Sequence, residues 1–272
     1  MENHTLQDIP AARKVFILNY IKENGSASIK DLSILQNVSE ATIRRDLDAM
    51  SIEGILERTR GGAILPHEKS TSFERVYHEK SKLMTLEKKA IGRFAASHVL
   101  DGDTIFLDSG TTSFQIGMNL ADKRKITVIT YDLFIANSII LDASSTLLVT
   151  GGVRKTDFGV LTGSLVLNFI RELRLNKAFL TADSVDISFG VSNASFDEVD
   201  IKKELIRSSR YVYLAADHSK FGKAAMTHVC SLHDIDEIIT DDGLSVDMQK
   251  ELSADNIAFT LVSPETEDLS FS

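Results

Sequence analysis

Seven short apolar stretches recur between residues 104 and 261, most of them separated by helical ones, and this alternation is the tightest constraint on the fold. The strands read as Thr104–Leu107, Ile126–Thr130, Thr146–Thr150, Lys177–Thr181, Tyr211–Ala215, Glu237–Thr240 and Ile257–Leu261. Helical stretches fall around 84–99, 112–121, 132–141, 163–172, 196–209 and 245–252. A strand that is apolar throughout must be covered on both faces, and helices between successive strands supply that cover in a parallel sheet. Residues 83–272 are therefore expected to form a Rossmann-like, mostly parallel α/β domain.

The preceding residues follow another rhythm. Ala11–Asn24 carries Val15, Leu18 and Ile21 at helical spacing, with Phe16, Ile17 and Tyr20 widening the apolar face and Gly25 as the stop. Ser28 opens a second helix, with Asp31 as a weaker version of the capping box and Leu32 and Leu35 as its apolar side. The third helix has the clearest start: Ser39 as N-cap, with Val38 and Ile43 forming a hydrophobic staple across it. Ile43, Leu47 and Met50 should face the core, while Ala41, Arg44, Arg45 and Asp48 turn away. After Gly54, Ile55–Arg58 and Ala63–Leu65 read as two strands joined across Thr59–Gly62. Residues 1–66 thus spell a winged helix-turn-helix, and the polar stretch 67–82, with isolated Phe73, Val76 and Tyr77, reads as a linker.

Composition narrows the class. Apolar residues make up 43% and charged residues 25%, which excludes wholesale disorder. No apolar run is long enough for a membrane span, and the first residues lack a signal-peptide core, so a cytoplasmic protein is expected. The single cysteine, Cys230, fits a reducing compartment. The net charge of −9 divides unevenly: residues 1–66 hold eight Lys/Arg against nine Asp/Glu, and the rest carry the remaining −8. Bulk charge therefore gives no general attraction to nucleic acid, and any DNA contact rests on where a few basic residues sit.

Those residues lie on the third helix and the hairpin. A recognition helix offers its first turns to base edges while neighbouring groups hold phosphates. Thr42 brings a short hydroxyl, and Arg44 and Arg45 bring forks suited to guanine or phosphate. The hairpin adds Arg58 and Arg60 beside Gly61 and Gly62, where a glycine tip permits close approach. With Ser28, Ser39 and Ala41 at the helix starts, these make the candidate DNA-binding set. Taken alone, the same arginines could simply pair with Glu40, Asp46, Asp48, Glu53 and Glu57 on a solvated surface; the ordered helix-turn-helix and wing favour DNA.

VSEATIRRDLDAM followed by GILERTRGGAIL resembles the N-terminal signature of the DeoR family of bacterial transcriptional regulators, from about Arg13 to Leu65. KKAIGRFAASHVLDGDTIFLDSGTT, ITVIT, LLVTGG, DHSKFG and IIT resemble the family's sensor half, so the likeness runs to about residue 262. It implies a repressor of a carbohydrate operon that binds double-stranded operator DNA and detects a phosphorylated sugar. It also implies a homo-oligomer, dimer or tetramer, joined through the sensor domains, and no enzymatic activity or cofactor. An activator or dual regulator would share this sequence.

The residues support a ligand crevice independently. Asp108, Ser109, Gly110, Thr111 and Thr112 run from the end of a strand into a helix, and ligands of open parallel sheets bind beyond the carboxyl ends of strands. Free N–H groups at the helix start and adjacent hydroxyls suit a phosphate, although a capped strand-to-helix turn alone accounts for the same sequence. GxxxxGK[ST] and GxGxxG are both absent, which argues against ATP and dinucleotides. TADSVD (181–186) and AADHSK (215–220) resemble the DGADEVD and ADESK segments of ribose-5-phosphate isomerases. By that resemblance Asp183 and Lys220 project into the same crevice, and with Tyr131, Gly151 and Gly152 they complete the effector-binding candidates. The isomerases' KGGGGA-type loop is replaced by GVSNASFDEVD (190–200), so the crevice reads as one that binds without catalysis. Thr181, Ser184 and Tyr131 stand where the family often has glycine, glycine and asparagine, which points to an effector other than the usual one. His228, Cys230 and His233 match no zinc spacing, and Asp241 and Asp242 read as the end of a strand, so no metal is expected.

Overall fold

The computed structural model describes residues 10–24, 26–52, 55–59, 61–64, 77, 80–154 and 159–264. Two compact units divide between Ser70 and Thr71. Gly25, Gly54, Arg60 and most of the expected linker lie outside the described residues.

In the first unit, α1 (Pro10–Asn24), β1 (Ser26–Ser28), α2 (Ile29–Gln36) and α3 (Glu40–Ile52) precede β2 (Glu57–Thr59) and β3 (Gly62–Ile64). The expected hairpin is joined by an unforeseen strand: β1 pairs antiparallel with β3, giving the order β1-β3-β2. Three residues between two helices carry too little periodicity to be read as a strand. Ile17, Ile21, Leu32, Ile43, Leu47, Met50, Leu56 and Ala63 form the core. Two expected core residues are exposed, Val15 on α1 and Leu35 on α2. The inward faces run instead through Ile17 and Ile21 on α1 and through Ile29, Leu32 and Gln36 on α2. Where apolar residues surround a short helix, spacing alone cannot choose its inward face. The caps are as expected: Ser28 Oγ accepts from Asp31 N at 3.0 Å and Ser39 Oγ from Thr42 N at 3.2 Å.

A buried ion pair locks this unit. Arg13 on α1 donates from Nε to Asp46 Oδ2 (2.5 Å) and from Nη2 to Oδ1 (3.2 Å), joining α1 to α3. Asp46 is therefore committed inside the domain and is not a surface partner for the exposed arginines of α3.

The second unit is a seven-stranded sheet clad with helices. Its strands are β4 (Thr104–Leu107), β5 (Thr127–Thr130), β6 (Thr146–Val149), β9 (Leu175–Leu180), β12 (Ser209–Ala215), β14 (Glu237–Asp241) and β15 (Phe259–Val262). They lie in the order β15-β14-β12-β9-β4-β5-β6, every pairing parallel. Successive side chains alternate between faces. Ile105, Leu107, Val128 and Phe179 pack beneath α4 (Thr85–Ser97), α5 (Thr111–Gly117) and α6 (Leu133–Ser138). Phe106, Ile129, Ala178 and Leu180 pack beneath α7 (Ser164–Arg171), α8 (Val199–Ser208) and α9 (Val246–Ala254).

Two antiparallel additions escaped the sequence. β7 (Val153–Arg154) pairs with β8 (Leu161–Thr162), and β10 (Ser184–Asp186), β11 (Gly190–Asn193) and β13 (Thr227–Cys230) form a separate three-stranded sheet. All are two to four residues long, too short for alternation to register. From β4 the chain moves outward through β5 and β6, then returns to the other side of β4 with β9. The connections thus reverse between β4 and β9, and the crevice beyond their carboxyl ends is the topological switch point.

Candidate functional site

In the first unit, α3 presents Ala41, Arg44, Arg45 and Asp48 to solvent, opposite its apolar stripe. Arg44 reaches back to Glu40 at 3.2 Å, and Arg58 Nε lies 3.3 Å from Asp48. Surface pairs of this kind hold weakly. The Arg45 side chain has no partner among the described residues. Ile29 N donates to Gly61 O at 2.9 Å, tying the start of α2 to the wing turn. Between them opens a cleft of about 340 Å³ lined by Ser28, Ile29, Lys30, Glu40, Arg44, Arg58 and Gly61. Arg58 Nη1 is buried there with no acceptor among the described residues. The cleft thus offers basic donors and the amino end of α2 to an anion.

The candidates differ in what they can do. Ser28 and Ser39 are occupied as caps, and Ser39 Oγ also lies 2.9 Å from Thr42 Oγ1. Gly61 is exposed with open space around it, as a wing tip requires. Gly62 needs correcting, because it is buried against β1, where a Cβ would fall 1.9 Å from Ala27 O. Its glycine serves the close β1–β3 pairing and not an approach to DNA.

In the second unit, the crevice at the switch point is closed by a buried polar network. Asp108, just past β4, accepts at Oδ2 from Thr181 N (2.8 Å), from Thr181 Oγ1 (3.1 Å) and from Lys202 Nζ, and at Oδ1 from Tyr131 Oη. Lys202 also donates to Thr181 O at 2.9 Å. Glu198 at the start of α8 accepts from Ser109 Oγ (2.5 Å) and lies 2.9 Å from Tyr131 Oη, whose single proton it shares with Asp108. Burial opposes the Lys202 charge, but Asp108 and Glu198 outweigh it and hold the ammonium above the ordinary lysine range. Burial, then Asp108 and Glu198, push the Tyr131 phenol well above its usual value.

This corrects two candidates. Asp108 and Tyr131 are fully buried with their polar atoms engaged by the protein, so they hold the site and do not face a ligand. The other candidates stay near the crevice. Gly110 adopts φ 108°, a backbone state that suits glycine, and the N–H groups of Thr111, Thr112 and Ser113 have no acceptor among the described residues. Gly110 N is already used, donating to Asp132 Oδ2 at 3.0 Å. Asp132 also caps α6 through Phe134 N and Ile135 N, yet burial pushes its carboxyl up to about 6. Gly151 is exposed, while Gly152 packs against Val166 and Thr162, where a Cβ would not fit.

The residues just after AADHSK reach TADSVD: Gly222 N donates to Val185 O at 3.0 Å, beside a Val185–Phe221 bridge. Asp183 accepts from Lys80 Nζ (3.1 Å) and Ala194 N (3.0 Å). Burial alone would raise its carboxyl, but Lys80, the Ala194 N–H and Lys202 hold it below the ordinary range. Lys220 has no side-chain partner among the described residues. Lys88 is buried and donates to the carbonyls of Lys80 (2.6 Å) and Leu83 (2.7 Å). Burial lowers its pKa, Asp217 offsets this, and Lys220 and Lys80 add to the lowering, so the three lysines share one field. Asp217 Oδ2 is buried beside them without a partner among the described residues.

Ser184, which stands where the family often has glycine, is buried on β10 and accepts at its carbonyl from Ser192 Oγ at 3.4 Å. The His228–Cys230–His233 cluster does not form. Cys230 is buried, His228 meets Phe189 edge to face, and His233 lies 3.8 Å from Asp255. Burial pushes the Cys230 thiol up to about 12. Asp241 accepts from the backbone of His218 and Gly243, ending its strand. Among the described residues no group of His, Cys, Asp or Glu is arranged to hold a metal, and no helix is long and apolar enough to cross a membrane.

Sequence reasoning missed Lys80, Lys88, Asp132, Glu198, Lys202 and Asp217. A signal existed for one pair. Lys202 lies on the face of α8 that also buries Val199 and Leu205, with Glu198 four residues before it at the N-cap, and a charge on an apolar face marks a group committed to a partner inside the fold. A second signal is that an aspartate closely follows each of β4, β5, β9 and β12: Asp108, Asp132, Asp183 and Asp217.

Residues 13–69 match the DeoR-like helix-turn-helix domain, and residues 84–242 match the DeoR C terminal sensor domain. The chain is 32% identical to the uncharacterized HTH-type transcriptional regulator YgbI of Escherichia coli (strain K12), over 94% of this chain and 100% of that protein. It is 31% identical to the glycerol-3-phosphate regulon repressor of the same strain, over 90% of this chain and 96% of that one. Among solved structures it is similar to ribose 5-phosphate isomerase from Plasmodium falciparum, with a TM-score of 0.36 and 15% identity over 52% of this chain and 54% of that one. The relatives by sequence are transcriptional regulators and not enzymes. A helix-turn-helix unit with exposed arginines, followed by a sensor unit built around a polar crevice, makes this chain a member of the DeoR family.

Proposed function

We propose that this chain is a repressor of a carbohydrate operon. It binds double-stranded operator DNA through the α3 and wing face and is released when a phosphorylated sugar enters the sensor crevice. The observation that carries this reading is the charged set just past the carboxyl ends of β9 and β12, where Lys80 pairs with Asp183 at 3.1 Å and Lys220 has no side-chain partner among the described residues. The Lys80 and Lys220 ammonium groups suit a phosphate, Asp183 suits the hydroxyls of the sugar, and Lys88, buried and spent on the carbonyls of Lys80 and Leu83, holds the segment in place. The unused N–H groups at the start of α5 are the second phosphate-facing feature. On the DNA side, Thr42, Arg44, Arg45 and Arg58 reach base edges or phosphates, and Arg60 is assigned to the wing from sequence alone.

Linkage fixes the direction of control. The sugar phosphate lowers operator affinity only if it binds the DNA-releasing state more tightly, and a 100-fold preference corresponds to about 2.7 kcal/mol of coupling. A head with no net positive charge has weak electrostatic affinity, so two or more heads share an operator in a dimer or tetramer.

The test is binding of the purified chain to labelled DNA from upstream of its own gene, at fixed near-physiological salt, with and without a panel of sugar phosphates. Tight binding released by one compound is the expected result; binding strengthened by a compound makes the protein an activator or a co-repressed regulator. Thr111→Glu should abolish release and leave DNA binding intact, and release that persists would remove α5 from the phosphate site.

A further inference from the structure

β6 is an edge strand without the usual protections. Strands of a doubly wound parallel sheet are ordinarily covered on both faces, yet Leu148 is 37% exposed and Val149 is 42% exposed. Exposed apolar residues also flank the strand in sequence, Ile140 at 74% before it and Val153 at 66% after it. No lysine, proline or bulge interrupts Thr146–Val149, the devices by which soluble sheets keep edges from pairing. Among the described residues no strand pairs with its outer side.

The hydrogen-bond pattern dictates what can pair there. Thr146 N donates to Ile126 O and Thr150 N to Thr130 O, so the even-numbered residues face β5. Leu147 and Val149 therefore turn their N–H and C=O groups outward. An antiparallel copy of the same strand satisfies all of these groups when Leu147 lies opposite Val149 and Val149 opposite Leu147. The two-fold axis then passes beside Leu148, which meets its own copy.

Charge agrees with that axis. Asp142 lies six residues before Leu148 and exposed Arg154 six after it. The two-fold brings the Asp142 end of each strand to the Arg154 end of the other. Arg124, the cation that already acts on Asp142, belongs to the loop before β5, one strand further from the axis than Arg154 of the facing copy.

We propose that β6 is the seam through which two copies of the sensor unit join, antiparallel and two-fold, into one continuous sheet. This does not depend on the identity of the effector or the operator. It is tested by sedimentation velocity on the full chain. Wild type should sediment as a dimer or a multiple of one, and Leu148→Lys, which sets two ammonium groups against each other on the axis, should halve the mass. Circular dichroism checks that the variant is folded. If Leu148→Lys unfolds, the surface charges decide alone: Asp142→Arg should weaken assembly at least tenfold, and adding Arg154→Asp should restore it. A monomeric wild type overturns the proposal, as does a folded Leu148→Lys that keeps its partner. A double charge swap no better than the single one overturns the antiparallel register.

Discussion

The two sites handle charge in opposite ways. On the face of α3 and the wing, Arg44 is exposed and Arg58 half-buried, each held by a single pair, Arg44–Glu40 and Arg58–Asp48, and exposed Arg45 has no partner among the described residues. In the sensor crevice Asp108, Lys202 and Tyr131 are buried and interlocked: the Asp108–Lys202 pair offsets its two buried charges, and the neutral Tyr131 phenol donates to the carboxylate. A surface that must exchange its own acids for DNA phosphates gains from weak internal pairing. A crevice between strands has to keep its shape without ligand, and buried charge then belongs to the fold as much as to the function. The head has one buried pair of its own, Arg13–Asp46, and it lies behind the recognition helix, away from the exposed arginines.

The sharpest way to break this contrast is Lys202→Met. It leaves Asp108 as an unpaired buried carboxylate and should cost about 3 to 5 kcal/mol in urea unfolding of the full chain. A loss under about 1 kcal/mol would mean that the network is not part of the core.

Next comes Asp132. Its carboxyl is pushed up to about 6 by burial, whereas in the unfolded chain it titrates at the ordinary aspartate value near 4. Between those values the folded state holds more protons than the unfolded one, so this group makes stability fall as pH rises from about 4 to about 6. The expected decline is about 3 kcal/mol, and Asp132→Asn should remove it. A variant with an unchanged pH profile would show that Asp132 is not the titrating group.

Arg45→Ala sharpens the other side of the comparison. Operator binding should weaken roughly 10- to 100-fold, about 1 to 3 kcal/mol, while the unfolding midpoint stays within about 0.5 kcal/mol of wild type. A stability loss comparable to that of Lys202→Met would erase the distinction between the sites. The smallest effect is Arg58→Ala. Its pair with Asp48 should contribute under about 1 kcal/mol to folding, and its loss should reduce the salt slope of DNA binding by about one.

The head was legible because capping and staple signals are local. Ser28, Ser39 and Ile43 act within four residues, and the exposed arginines follow from helical spacing once Ile43, Leu47 and Met50 are fixed inward. Arg13–Asp46 was not legible, since nothing in either segment announces a partner 33 residues away. In the sensor unit the parallel sheet and the DSGTT turn were visible in the apolar runs. The role of Asp108 was misread: it looked like a ligand contact because it follows a strand, and it proved to be a buried anchor because Lys202, 94 residues on, reaches it.

By itself the sequence determined the two units, their order, the parallel sheet and the exposed basic face of α3, because each follows from periodicity or capping within a single segment. Only the tertiary structure decided which aspartates face inward, that Tyr131 seals the network, that Lys80, Lys88 and Lys220 share a field, and that Gly62 serves packing. Those outcomes depend on distances between segments far apart in the chain. Whether a charge is buried, and against what, is a property of the packed pair and not of either residue.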